Sequence, residues 1–194
     1  MSVVAGPDGR LRCPWGAGVP DYVAYHDLEW GRPVTSVDGL YERLTLEAFQ
    51  SGLSWITILR KREQFRSAFA GFDPERVARF DGADVERLMA DPGIVRNRAK
   101  IDAAIANARV VSDLGEDFAR LVLGFRQPDR PRPVDVADVP AQTAESVALA
   151  RALKGRGVRF VGPTTAYALM QAVGLVDDHL AGCFVPLRAG SAAG

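Results

Sequence analysis

Two cysteines and two histidines are all that this chain has, and they lie at its two ends. Cys13 and His26 fall within CPWGAGVPDYVAYHDLEWG, and His179 and Cys183 fall within DDHLAGC. Two thiolates and two imidazoles make a complete ligand set for a tetrahedral, borderline-soft ion such as zinc. One ion held by all four would tie the N-terminal segment to the C-terminal segment across most of the chain. Four protein ligands leave no open position for water, so the expected role is structural, with one ion per chain. His179 and Cys183 are four apart, so a helix there would place both on one side. The competing reading is two buried cysteines and two hydrogen-bonded histidines with no metal. A complete set with nothing left over favours zinc.

The rest of the sequence reads as mostly α. A chain of 194 residues suits one domain, here residues 13–183 in two helical lobes, and it is long enough to bury a proper core. Residues 1–12 and 184–194, rich in Gly, Ala and Ser, are expected to be flexible tails. The pattern predicts a short helix near 22–29 and a helix from 39 to 59 that is apolar on two sides and therefore buried. Further helices are expected at 55–70, 74–80, 83–90, 95–112, 116–124, 143–154 and 163–174. Asp73-Pro74 supplies a cap and a first-turn proline. Pro128, Pro131, Pro133 and Pro140 make the segment between Gln127 and Pro140 a connection rather than a long helix. No alternating strand pattern stands out.

Several function classes drop out. There is no long apolar run and no basic-then-apolar start, so neither a membrane span nor a signal peptide is expected. Two cysteines do not form a disulfide framework, which fits a reducing cytoplasm. Net charge is zero, against a protein that binds nucleic acid over its whole surface, yet a local basic patch remains open. Arginine outnumbers lysine 21 to 3, the lysines being Lys61, Lys100 and Lys154.

Two segments carry candidate chemistry. Residues 146–173 read as helix, glycine-bearing turn, helix. Gly162 precedes Pro163, and backbone N–H groups at such a helix start can hold a phosphate. Lys154, Arg156 and Arg159 flank the turn and could add positive charge. The segment is similar to the helix-hairpin-helix that grips a DNA backbone, with Phe160 where the first hairpin glycine usually stands; an ordinary helical hairpin with a basic loop is the alternative. The second segment centres on Glu47, which shares a helical sector with Leu40 and Leu44. An acid there is costly to bury unpaired. Aromatics close by in sequence (Tyr22, Tyr25, Trp30, Trp55) together with one carboxylate would suit a flat cationic ligand. A satisfied core glutamate, paired with an arginine among core aromatics, is the alternative.

Taken together, CPW, YHDLEWG, EAFQSGLSWITILRKRE, FDPERVA, GIVRNRAKI, FVGPTTAYALMQAVGLVDDH and HLAGC resemble the constitutive 3-methyladenine DNA glycosylase I family, from about Cys13 to Cys183. The resemblance implies a helix-hairpin-helix glycosylase fold, with a zinc site of Cys13, His26, His179 and Cys183 joining the two termini. It implies hydrolysis of the N-glycosidic bond of 3-methyladenine in alkylated double-stranded DNA, leaving an abasic site for base excision repair. Glu47 would be the acid that hydrogen-bonds the base, and is carried as the catalytic candidate. Tyr25 and Trp55 would stack on the base, Trp30 would be a further pocket aromatic, and Trp15 and Tyr22 would border the site. Leu53 matches a residue that enters the DNA helix as a plug. Lys154, Arg156, Arg159 and Gly162 would meet the backbone.

Backbone nicking would need an amine nucleophile. No lysine follows Lys154, and segments 22–30 and 47–55 hold none, so a monofunctional hydrolase without lyase activity is expected. The expected setting is a bacterial cytoplasm, at the nucleoid when acting, as a monomer. Two other classes compete: a zinc-stapled DNA-binding module without catalysis, which could dispense with Glu47, Tyr25 and Trp55, and a zinc hydrolase, which would need an open metal position.

Overall fold

A computed structural model describes residues 1–186. It is mostly helical, as the periodicity requires, with helices α1 (Pro20–Leu28), α2 (Val37–Gln50), α3 (Trp55–Ala68), α4 (Pro74–Ala78), α5 (Gly82–Ala90), α6 (Arg98–Leu114), α7 (Glu116–Leu123), α8 (Ala144–Gly155) and α9 (Pro163–Ala172). Local chemistry sets the boundaries. The side chains of Ser36, Asp73, Asp81, Asn97 and Thr143 each accept a backbone N–H from the first turn of the helix that follows. Pro74 and Pro163 open their helices where no backbone donor is needed. No helix among the described residues is long and apolar enough to cross a membrane.

The centre of the molecule is α2. Leu40, Tyr41, Leu44, Leu46 and Phe49 are all fully buried, so this helix is enclosed on both of its apolar sides, as expected. Phe49, Phe65, Phe69 and Phe72 pack ring to ring beside it, with centroids 4.8 to 6.1 Å apart along the series. Helix α9 lies against α2 and α8 packs on α9, which brings the C-terminal hairpin onto the central helix.

Three expectations are corrected. The helix predicted over 39–59 is two helices. Lys100 and the Leu53 amide occupy the carbonyls at the end of α2, and Gly52 adopts φ +83°, so the chain turns sharply before α3. Leu53, which falls within the span of that expected helix, stands on the turn and is 41% exposed. Residues 1–12, expected as a loose tail, hold a small antiparallel hairpin of β1 (Val4–Ala5) and β2 (Leu11–Arg12), ending in an arginine that is only 2% exposed. Strands of two residues leave no alternation to read. Third, His179 and Cys183 lie on turns and extended backbone, not on a helix; Cys183 N–H reaches back to Leu180 O over 2.9 Å. Of the tail expected at 184–194, Val185 is buried, and residues 187–194 lie outside the described residues.

Candidate active site and metal cluster

Three of the four expected metal ligands meet. The ligand atoms of Cys13, His26 and Cys183 all lie within 4.8 Å of one another, and all three residues are buried. Hydrogen bonding from Cys13, with His26 behind it, pulls the Cys183 thiol well below its ordinary value, while the Cys13 thiol is pushed up. His179 is outside this group of three but close: its ring centroid lies 5.1 Å from that of His26. Its Nε2 is buried and has no hydrogen-bond partner among the described residues. A buried imidazole nitrogen left unpartnered is costly, and beside two thiols and a second imidazole it is the atom a metal would take. The donor set fits a tetrahedral ion.

Each histidine is aimed by a carboxylate that is itself aimed by an arginine. His26 Nδ1 lies 2.8 Å from Asp27 Oδ1, and Asp27 accepts from Arg12 Nη2 at 2.7 Å and Nε at 2.9 Å. His179 Nδ1 lies 2.9 Å from Asp177 Oδ1, and Asp177 Oδ2 accepts from Arg132 Nη2 at 2.9 Å. Pinning Nδ1–H to a carboxylate leaves the Nε2 lone pair for a ligand, an arrangement that recurs around metal-bound histidines. Burial would raise Asp177, yet His179 and Arg132 hold it at about 2. Of these supporting residues, sequence alone draws notice only to Asp177, before His179 and with no role assigned; Arg12, Asp27 and Arg132 are not singled out. The N-terminal hairpin brings Arg12, and the proline-rich connection brings Arg132. Asp27 adjoins His26 and Asp177 is two before His179, so both carboxylates were signalled by proximity alone.

Beside the cluster opens a cavity of about 510 Å³. Trp15, Tyr22, Tyr25, Trp30, Glu47 and Trp55, the six pocket residues expected from sequence, all line it. The aromatic rings form a continuous wall: Trp15 meets Trp30 at 5.0 Å and Tyr22 at 5.8 Å, and Tyr25 meets Trp55 at 5.3 Å. The wall is continuous with the cluster, since Trp30 packs edge-on against His179 at 4.7 Å and Trp15 against His26 at 5.1 Å. Tyr22 also accepts the Ile56 N–H at 2.9 Å, fastening α1 to the start of α3.

Glu47 is the acid of this cavity. It is 7% exposed, and burial raises it to about 8, with Arg43 pulling the other way. Among the described residues, no hydrogen bond satisfies its carboxylate. Arg43 is instead paired with Glu29 at 3.0 Å, as is Arg62 at 2.6 Å. The arginine partner that a satisfied core acid would need is thus engaged by Glu29, and Arg43 acts on Glu47 only through its charge. The indole Nε1 of Trp55 is also buried without a hydrogen-bond partner among the described residues. A cavity walled by aromatic rings, with a buried acid that has no hydrogen-bond partner among the described residues, suits a planar ligand that carries positive charge and an N–H.

Asp178 also lines the cavity, fully engaged: Oδ1 accepts from Arg130 at 2.7 Å, and Oδ2 from Gln171 at 2.8 Å and from the Tyr167 hydroxyl. Helix α9 links cavity and hairpin, because Ala168 and Gln171 line the former while Gly162 caps the helix at the latter. Lys154, Arg156, Arg159 and Phe160 are exposed around the turn. Asn107 clamps that turn from α6, donating to Arg159 O at 3.1 Å and accepting from its N–H at 2.7 Å. Phe160 has φ +55°, which explains why a glycine commonly stands there.

The profile of the methyladenine glycosylase family matches residues 15–186. DNA-3-methyladenine glycosylase 1 of Escherichia coli strain K12 is 48% identical over 177 residues, covering 89% of this chain and 95% of the relative. DNA-3-methyladenine glycosylase of Haemophilus influenzae is 44% identical over 178 residues, covering 89% and 96%. The structure of 3-methyladenine DNA glycosylase I from Staphylococcus aureus, solved for its recognition of 3-methyladenine, superposes with a TM-score of 0.85 at 32% identity, covering 91% of this chain and 97% of that one.

Proposed function

The chain belongs to the methyladenine glycosylase family, and from that premise we propose how its cavity works. The protein is a 3-methyladenine DNA glycosylase of base excision repair. The observation that carries the assignment of roles is the placement of the unpartnered, buried Glu47 within a wall of five aromatic residues.

Methylation at N3 makes the adenine ring cationic and weakens its bond to the sugar, so the leaving group is already activated. In hydrolysis, water oxygen bonds to C1′, the glycosidic bond breaks, its electron pair neutralises the ring, and the water gives up a proton to solvent. The residues' task is extrusion and selection. Tyr25 and Trp55 hold the flipped ring by stacking, with Trp30, Trp15 and Tyr22 closing the wall. Glu47 accepts a hydrogen bond from the adenine edge and offsets its charge. In the empty cavity Glu47 is largely protonated near neutrality, since burial sets its value at about 8. A cationic ring beside it favours the carboxylate. An undamaged, neutral adenine gives no such compensation and leaves the acid buried at a cost.

The hairpin supports docking on the backbone through the α9 N-terminus at Gly162 and the cations Lys154, Arg156 and Arg159. Leu53, exposed on the turn between the two cavity helices, is positioned to enter the duplex as the lesion leaves it. We assign the cluster of Cys13, His26, His179 and Cys183 to structural zinc; bound there, the ion would supply a staple between the termini and no chemistry at the base. No lysine lines the cavity, which favours a monofunctional hydrolase.

The deciding experiment is base release from methylated duplex DNA by wild type beside Glu47→Ala. Free 3-methyladenine from wild type, with 7-methylguanine retained, and a large loss in the variant are expected. Undiminished release by Glu47→Ala would remove the acid from the assignment.

A further inference from the structure

Lys100 is one of only three lysines in a chain with 21 arginines, and its ammonium is turned inward. It rises from the first turn of α6, where Asn97 Oδ1 holds its backbone N–H at 3.1 Å. Its Nζ donates to Phe49 O at 2.8 Å and to Ser51 O at 2.6 Å, and the residue is only 8% exposed. A positive charge on the last carbonyls of a helix is favourable on two counts, as hydrogen-bond donor and against the helix dipole. An ammonium is compact and can converge on two carbonyls, which a planar guanidinium fork does less readily.

The carbonyls it holds belong to one turn. Phe49 lies in the last turn of α2 two residues beyond Glu47, and Ser51 begins the exposed segment 51–54 that leads to Trp55. Within that turn the Leu53 N–H reaches Gln50 O at 2.7 Å, and Gly52 takes φ +83°. Leu53 projects from the tip, and the helices on either side present Glu47 and Trp55 to the cavity. Beyond the turn's own Leu53–Gln50 bond, the Ser54–Thr57 hydroxyl pair at 2.9 Å fastens its far side, and Lys100 is the tether that comes from another helix.

We propose that Lys100 is a positioning residue for base extrusion: it fixes the turn that presents Leu53 to the duplex. The proposal rests on Leu53 being the residue that enters DNA. It separates opening the duplex from recognising the base, since Lys100 does not line the cavity.

The test is single-turnover release of 3-methyladenine from duplex and from single-stranded methylated DNA, by Lys100→Met, Leu53→Ala and the double variant, with free 3-methyladenine binding measured alongside. Lys100→Met is expected to slow duplex release about tenfold while changing single-stranded release and free-base binding less than about twofold. In the Leu53→Ala background it should cause no further loss, as expected of residues that act as one unit. Equal losses on both substrates, or losses that multiply in the double variant, would overturn the role of Lys100. Should Leu53→Ala alone leave duplex release unchanged, the plug reading fails first and takes the inference with it. If Lys100→Met does not yield folded protein, Lys100→Gln, which keeps an amide donor without the charge, is read in the same way.

Discussion

The two walls of the cavity treat buried polar groups in opposite ways. On the cluster side, Arg12, Asp27 and His26 form one satisfied series, and Arg132, Asp177 and His179 form another. Elsewhere in the lining, among the described residues, the buried Trp55 indole Nε1 has no hydrogen-bond partner, and no hydrogen bond reaches the carboxylate of the buried Glu47. A satisfied network stiffens a structure, whereas an unsatisfied one costs stability and is kept where a ligand completes it. The one exception on the cluster side is the His179 Nε2, buried without a partner among the described residues on a ring 5.1 Å from that of His26. Both unfinished places thus point to something that binds: a metal on one wall and a cationic base on the other.

The contrast predicts opposite signs for stability. Metal removal acts on the finished wall and should have the largest effect. Chelation, or Cys183→Ser, should lower Tm by roughly 10 °C or more, with base release lost in parallel. Loss of release at an unchanged Tm would mean that the ion does chemistry and the two walls do not divide as described.

Glu47→Gln acts on the unfinished wall. Release should fall by about ten- to a hundredfold, while the variant becomes the more stable protein at pH 8. The sign follows from burial, which raises Glu47 from 4.5 to about 8. Between those values the folded protein keeps a proton that the unfolded chain has lost. This acid's contribution to stability therefore falls as pH rises from about 4.5 to about 8, and its full cost stands above that. Urea titrations across this range should show the slope in wild type and its absence in Glu47→Gln, with a difference of a few kcal/mol, as an order of magnitude, at the alkaline end. In wild type, kcat/KM should rise with pH and level off above about 8, because the free enzyme must present the carboxylate. A variant less stable than wild type at pH 8 would break the comparison.

Asp27→Ala tests whether the finished wall is finished for the metal's sake. With its orienting carboxylate gone, His26 should hold the ion about 10- to 100-fold less tightly in a competition titration. The smallest effect is expected at the hairpin. Arg156→Ala should weaken binding to any duplex and reduce the salt slope by about one.

How much of this was legible in the sequence follows from distance along the chain. Helices announced themselves through caps and periodicity, and the pocket residues through a resemblance that runs almost end to end. What stayed hidden was long-range. Lys100 lies 51 residues from Phe49, and nothing local says that its ammonium turns inward. Arg12 looked like part of a tail because strands of two residues carry no period. The break at Leu53 was masked by apolar spacing that continues across it; a lysine from another helix and a glycine with positive φ override that spacing.

Residues 178 to 183 give the cavity an order of assembly. Asp178 and Leu180 complete its wall and Cys183 completes the ligand cluster, yet Trp15, Tyr25 and Glu47 are all made far earlier. On a ribosome, the part of the chain that resembles a base pocket would wait, open on one flank, until the last ligand emerged. A chain that stops short of Asp178 lacks part of the cavity wall, so the contacts that bring the two ends together also complete the site.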